Sequence, residues 1–140
     1  MTSIQDLELQ NRIFNDFEDT KEQQLIQDLL WADPDPSIDG YTESPRGCAW
    51  NFGFSAAGQF CQQGHYDLIL RAHQLQSKGY SQMLNDRVLT VWSASNYEQR
   101  CGNSGAFVLY KNGELFVRRF EKVFLDAGVT ESHVHVDYFL

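Results

Sequence analysis

The chain has 140 residues, of which 42% are hydrophobic and 14% aromatic; a globular domain of this size buries about two-thirds of its unfolded surface. Its 11 basic and 19 acidic residues give a net charge of −8, which excludes nonspecific attraction to nucleic acid or anionic lipid and leaves a protein or a metal as the natural partner. No apolar run reaches the ~20 residues that cross a bilayer, so no membrane partner is expected.

The start, MTSIQDLELQNR, lacks the basic and apolar regions of a signal peptide, so the expected location is intracellular: the cytoplasm, with the nucleus as the alternative. Cys48, Cys61 and Cys101 are widely spaced and form no CxxC pair, which suggests reduced thiols rather than a disulfide framework or a zinc knuckle.

In chain order, the N-terminal third reads as helices. Ser3 and Asp6 have capping-box spacing ahead of Ile4, Leu7, Phe14 and Phe17, and Thr20 with Gln23 repeats the device before Leu25, Ile26, Leu29 and Leu30. ADPDPSIDGYTESPRG holds all three prolines and predicts an irregular connection. Ala49 to Phe54 reads as a short strand, and Ser55 as the cap of a helix running to about Gln63 and stopped by Gly64.

LILRAHQ, residues 68–74, reads as a buried strand that surfaces at His73. Val88 to Trp92 is a further strand, and GAFVLYKNGELFVRRF is a hairpin about Asn112-Gly113. The fold class is therefore mixed α/β, with mainly antiparallel strands late in the chain. No internal repeat appears, and the polar tail from about Asp126 ends in the apolar cluster HVHVDYFL.

Several residues are candidates for chemistry. His73, at a strand end, suits a metal ligand or a general base and equally a structural histidine; Arg71 suits a surface or supporting role. Arg46, between Pro45 and Gly47, is placed for bidentate capture of a phosphate or carboxylate, against the alternative of a solvated loop arginine. Asp33, Asp35 and Asp39 lack the order of an EF-hand and read as turn aspartates. Tyr97, in the glycine-punctuated loop 93–107, can donate to an anion in a cleft or simply pack.

These segments, in order, resemble a known family. DLLWADPD (28–35), SPRG with FG (44–47, 52–53), RAHQ with GY (71–74, 79–80), SASNY (93–97), RCGN (100–103) and DYFL (137–140) follow the sequence of blocks in PPP-family serine/threonine protein phosphatases. RCGN and DYFL are similar to its phosphatase 2A-like branch, which includes the phosphatase 4 type.

The resemblance implies a fold and a set of roles. The fold would be the C-terminal part of a metallophosphatase β-sandwich flanked by helices, incomplete as given, with residues 1–125 in the domain and 126–140 a flexible tail. His73 would be a ligand of a centre of two divalent ions of the manganese, iron or zinc class, Arg46 and Tyr97 would meet the substrate phosphate, and Asp33 would stand behind them. Implied partners are phosphoserine and phosphothreonine proteins, scaffold or regulatory subunits, and a leucine carboxyl methyltransferase acting on Leu140.

The family takes most of its metal ligands from GDxHG, GDxxDRG, GNHE and HGG, none of which occurs here. IQDLELQNR resembles the segment that follows HGG, so the chain looks like the C-terminal half of a catalytic domain and is expected to be inactive alone. A catalytically inactive binding module for regulatory subunits is the competing expectation. Two departures stand out: Ser95 and Glu98 replace the proline and cysteine around the SAPNY tyrosine, and His135-Val136 replaces the Thr-Pro before DYFL.

Overall fold

The computed structural model describes residues 20–121. The expected first helix around Ser3 and Asp6 and the tail from Asp126 lie outside them.

Helix α1 (Lys21–Trp31) begins as the sequence predicts: Thr20 is its N-cap, its Oγ1 accepting from Gln23 N at 3.2 Å. The chain then enters the proline-rich segment, where the structure corrects the reading of an irregular connection. Asp33–Pro34 forms β1 and Tyr41–Glu43 forms β2. Both pair with β3 (Trp50–Phe52) in a sheet of order β1-β3-β2, β1 parallel and β2 antiparallel to it. Pro34 is tolerated because β1 is an edge of this sheet, where a missing N–H costs no ladder bond.

Helix α2 (Phe54–Gly64) starts at Gly53 rather than Ser55. A Cβ on Gly53 would collide with the Ile38 carbonyl oxygen, so only glycine lets the turn come this close. Ser55 is used differently: its N–H and hydroxyl donate to the Asp39 carbonyl at 2.8 and 2.9 Å. His65, left-handed at φ 54°, ends the helix.

A second sheet has the order β4-β6-β5: β4 (Ile69–Arg71), β5 (Tyr80–Met83) and β6 (Val88–Val91). Its β4–β6 pairing is parallel and its β5–β6 pairing antiparallel, so antiparallel pairing still predominates late in the chain, as expected. The β4 strand is shorter than LILRAHQ and not fully buried, since Leu70 is 53% exposed. The central β6 is the best-buried strand: Val88 and Thr90 are fully covered, and Val88 joins Ala57 and Leu84 in a small core packed by Phe52, Ile69 and Met83. The third sheet is the expected hairpin, β7 (Gly105–Lys111) and β8 (Glu114–Phe120), turning at Asn112-Gly113 with φ of 54° and 84°.

Among the described residues, the apolar face of α1 is left open. Leu25 and Leu29 line a groove of about 500 Å³ with Tyr41, Trp50, Phe60 and Ile69, and Arg71 lies on its wall. Among the described residues, no helix is long and apolar enough to cross a membrane.

Candidate phosphate-binding site

Arg46 is presented by a turn that its sequence dictates. In Ser44-Pro45-Arg46-Gly47 a polar residue leads, proline presets the second position, and glycine takes the last at φ 80°. Gly47 N donates to Ser44 O at 3.1 Å, closing the turn, and Arg46 N donates to the Ser44 hydroxyl at 3.3 Å. The guanidinium leaves this turn and meets Asp33: Arg46 Nε donates to Oδ2 at 2.7 Å.

Asp33 is 6% exposed, and its other oxygen is also occupied. Arg71 Nη2 donates to Oδ1 at 2.8 Å and to the Ala32 carbonyl at 3.1 Å, while Nη1 donates to Gln74 Oε1 at 2.8 Å. One carboxylate thus joins two arginines, one shielded and one facing solvent, with side-chain exposures of 12% for Arg71 and 39% for Arg46. Burial lowers the proton affinity of Arg71 and Asp33 raises it again, so the guanidinium stays a cation. Sequence reasoning gave Arg71 a peripheral role; no local signal marks it, because its partner lies 38 residues earlier.

His73 sits next to this triad, just past β4. Its φ of 73° is in the left-handed region, and Gln74 N donates to Ala72 O at 2.9 Å across it, a tight three-residue turn. Non-glycine residues held this way cost about 1–3 kcal/mol each and gather at functional sites. Trp31 stands edge-on to the imidazole with centroids 4.8 Å apart. Among the described residues, Nε2 is buried without a hydrogen-bond partner, as is Oδ1 of Asn51, the register neighbour of Asp33 on β3. Burial pushes the His73 pKa below its ordinary value; Arg46 and Arg71 push the same way and Asp33 opposes them.

A neutral ring with an unpartnered nitrogen fits one metal-ligand position. It does not fit a whole centre: among the described residues no three His, Cys, Asp or Glu side chains gather to hold an ion. The three aspartates of the proline segment are separately engaged, Asp33 by the arginines, Asp35 by the Ser37 hydroxyl at 2.6 Å and Asp39 by the Ser55 N–H at 3.3 Å.

Tyr97 opens a short turn of its own, Tyr97–Gln99. Its ring meets Trp92 edge-on at 4.9 Å and is 42% exposed, and among the described residues it shares no hydrogen bond or ion pair with the arginine triad. Asn103 organises its loop, a role the sequence did not disclose. Oδ1 accepts from Tyr97 N at 2.8 Å, and Nδ2 donates to Ala94 O and Ser104 O at 2.8 and 2.9 Å. Glu98 turns toward Arg100 and pairs with it. Leu140 lies outside the described residues.

The mixed α/β fold that carries this site is shared with a solved phosphatase. It matches a serine/threonine phosphatase from Saccharomyces cerevisiae described as similar to human phosphatase PP5, with a TM-score of 0.69 and 26% identity over 89% of this chain and 41% of that one. No protein-family model matches the chain. Over 119 residues, 81% of the chain, it is 41% identical to the serine/threonine-protein phosphatase 4 catalytic subunit of Candida glabrata. Over 99 residues, 71% of the chain, it is 37% identical to a protein phosphatase 2A catalytic subunit of Dictyostelium discoideum. The chain belongs to the PPP-family serine/threonine protein phosphatases, on their phosphatase 2A/4-like side, and the matches span 38% and 32% of these two relatives.

Proposed function

We propose that the chain is the phosphate-binding part of a metal-dependent serine/threonine protein phosphatase, with Arg46 taking the substrate phosphate and His73 supplying one metal ligand. The reading rests on the way Arg46 is held. Its Nε is tied to Asp33, while its two terminal nitrogens have no hydrogen-bond partner among the described residues, which leaves the bidentate edge of the guanidinium for a phosphoryl group. Asp33 holds that edge in place, and Tyr97 borders the same substrate from its own loop. Two divalent ions of the manganese, iron or zinc class would supply an acidified water in a complete domain.

The scarcity of ligands supports a second statement: the 140-residue chain by itself turns over no phosphoester. With added manganese, neither a phosphopeptide nor p-nitrophenyl phosphate should be hydrolysed. Metal-dependent turnover that disappears in His73→Ala would overturn this.

The main reading is tested in a chimera in which this chain replaces its counterpart in the Candida glabrata phosphatase 4 subunit. Arg46→Ala there should lower kcat/KM for a phosphopeptide by about 10²–10³, with little change in melting temperature. Unchanged kinetics would reject Arg46 as the phosphate ligand. In the same chimera a leucine carboxyl methyltransferase should label the Leu140 carboxylate, and equal labelling after deletion of Leu140 would remove that proposal. Scaffold or regulatory subunits are the proposed partners of the esterified tail, and the cytoplasm the proposed location.

A further inference from the structure

Arg71 occupies an unusual place for a residue with no part in binding. Its guanidinium is nearly enclosed and makes hydrogen bonds to four different residues: Asp33 at 2.8 Å, Ala32 at 3.1 Å, Gln74 at 2.8 Å and Thr90 at 3.5 Å. Two of these lie on β1 and its lead-in, one lies on the turn that strains His73, and one on the central strand β6. A single planar group therefore ties together the edges of two sheets that share no strand.

Two consequences for Arg46 follow from electrostatics and geometry. Asp33 alone would cancel the charge of Arg46 and repel an arriving anion; with Arg71 on the opposite oxygen, the three groups keep a net positive charge. A carboxylate pinned at Oδ1 also cannot rotate, so Oδ2 stays where Arg46 Nε meets it. Without the pin, Asp33 could take the terminal nitrogens of Arg46 in a two-pronged pair and block the edge a phosphate needs.

We infer that Arg71 is a positioning residue that works through Asp33, fixing the orientation of Arg46 and keeping its anion-binding edge open. The inference rests on the reading of Arg46 as the phosphate ligand, but the restraint on Arg46 can be measured without any phosphate.

The test uses the full 140-residue chain labelled with ¹⁵N. The Arg46 Nε–Hε signal reports the restraint, inorganic phosphate is the probe of binding, and protection of the Val88 amide, fully buried on β6, reports overall structure. In Arg71→Met, hydrogen exchange at Arg46 Nε–Hε should accelerate about tenfold and phosphate affinity fall by a similar factor, the equivalent of one charge-assisted hydrogen bond. Arg71→Lys keeps the charge but loses the fork, so it should free the Nε–Hε signal while recovering part of the phosphate affinity. Arg46→Lys should abolish the phosphate response.

A folded Arg71→Met chain with unchanged exchange at Arg46 overturns the inference. If that variant does not fold, Gln74→Ala, which removes one partner of Arg71 from the turn after β4, replaces it, and the same null result counts against the inference. Faster exchange in a chain whose wild type ignores phosphate would uphold the positioning role and refute the phosphate reading.

Discussion

Arg71 Nη2 and Asp33 Oδ1 lie 2.8 Å apart at the facing edges of β4 and β1, and both side chains are nearly enclosed, at 12% and 9% exposure. Removing one member of such a pair leaves the other buried and uncompensated. Asp33→Asn should therefore cost about 3 kcal/mol of stability. Arg46→Ala, which cuts the solvent-facing bond of the same carboxylate, should cost less than about 1 kcal/mol. Urea unfolding of both variants checks the contrast, and equal losses would mean that Asp33 depends as much on Arg46 as on Arg71.

Gly53 and Gly113 should respond very differently to one added methyl group. A methyl on the first would collide with the Ile38 carbonyl, and one on the second would meet open space but sit at a φ of 84°. Gly53→Ala should lose about 3 kcal/mol or more through overpacking against backbone that cannot move aside, and Gly113→Ala about 1 kcal/mol through strain alone. Thermal melts of the two variants measure the difference. A Gly53→Ala chain as stable as wild type would contradict the close approach.

Asn103 carries three hydrogen bonds of the Tyr97 loop while only 3% exposed. Asn103→Ala should destabilise by about 2 kcal/mol, since it strands the Tyr97 amide and two carbonyls. Because the Tyr97 ring rests on Trp92, the tryptophan fluorescence spectrum should shift as well. A stability loss with no spectral change would show that the loop keeps its shape without this side chain.

The Asp35 carboxylate accepts from the Ser37 hydroxyl at 2.6 Å and from its N–H at 2.8 Å, and these two bonds hold its pKa below the ordinary value. A folded-state pKa lower than the unfolded one means stability that is present above the unfolded pKa and fades as pH falls through the folded one. The contribution should accordingly be constant near neutrality and disappear in acid, below about pH 4. Ser37→Ala should raise the Asp35 pKa, measured by carboxyl-carbon NMR titration. No upward movement would reject the hydroxyl as its cause.

What could be read from the sequence was what neighbouring residues decide. The Thr20 cap and the Asn112-Gly113 turn are each specified within four residues, and both form as expected; the Ser44-Pro45-Arg46-Gly47 turn is just as local. The elements that escaped are those made by distant partners. Tyr80–Met83 is a strand because β6 pairs with it, and Asp33–Pro34 and Tyr41–Glu43 are strands because β3 runs between them. Ser55 carried a helix-cap signal, but the approach of Ile38 to Gly53 moved the cap upstream.

The site was legible to a similar degree. Arg46 and His73 stood out by position, and the family resemblance gave them roles and drew in Asp33. The link that joins Asp33 to Arg71 spans 38 residues and has no signature in either segment. Tyr97 was flagged through its loop, whereas Asn103, which shapes that loop, reads in the sequence as an ordinary polar residue after glycine.

The spacing of the arginine triad also sets the entropic cost of closing it. A two-residue hairpin such as β7–β8 closes in about 1–10 μs, far ahead of contacts between remote segments. Arg46 meets Asp33 across 13 residues and Arg71 meets it across 38, and the longer closure costs about 1 kcal/mol more in chain entropy. The solvent-facing half of the triad therefore closes the cheaper loop, and the loop that brings Arg71 to Asp33 has to enclose the whole of α2.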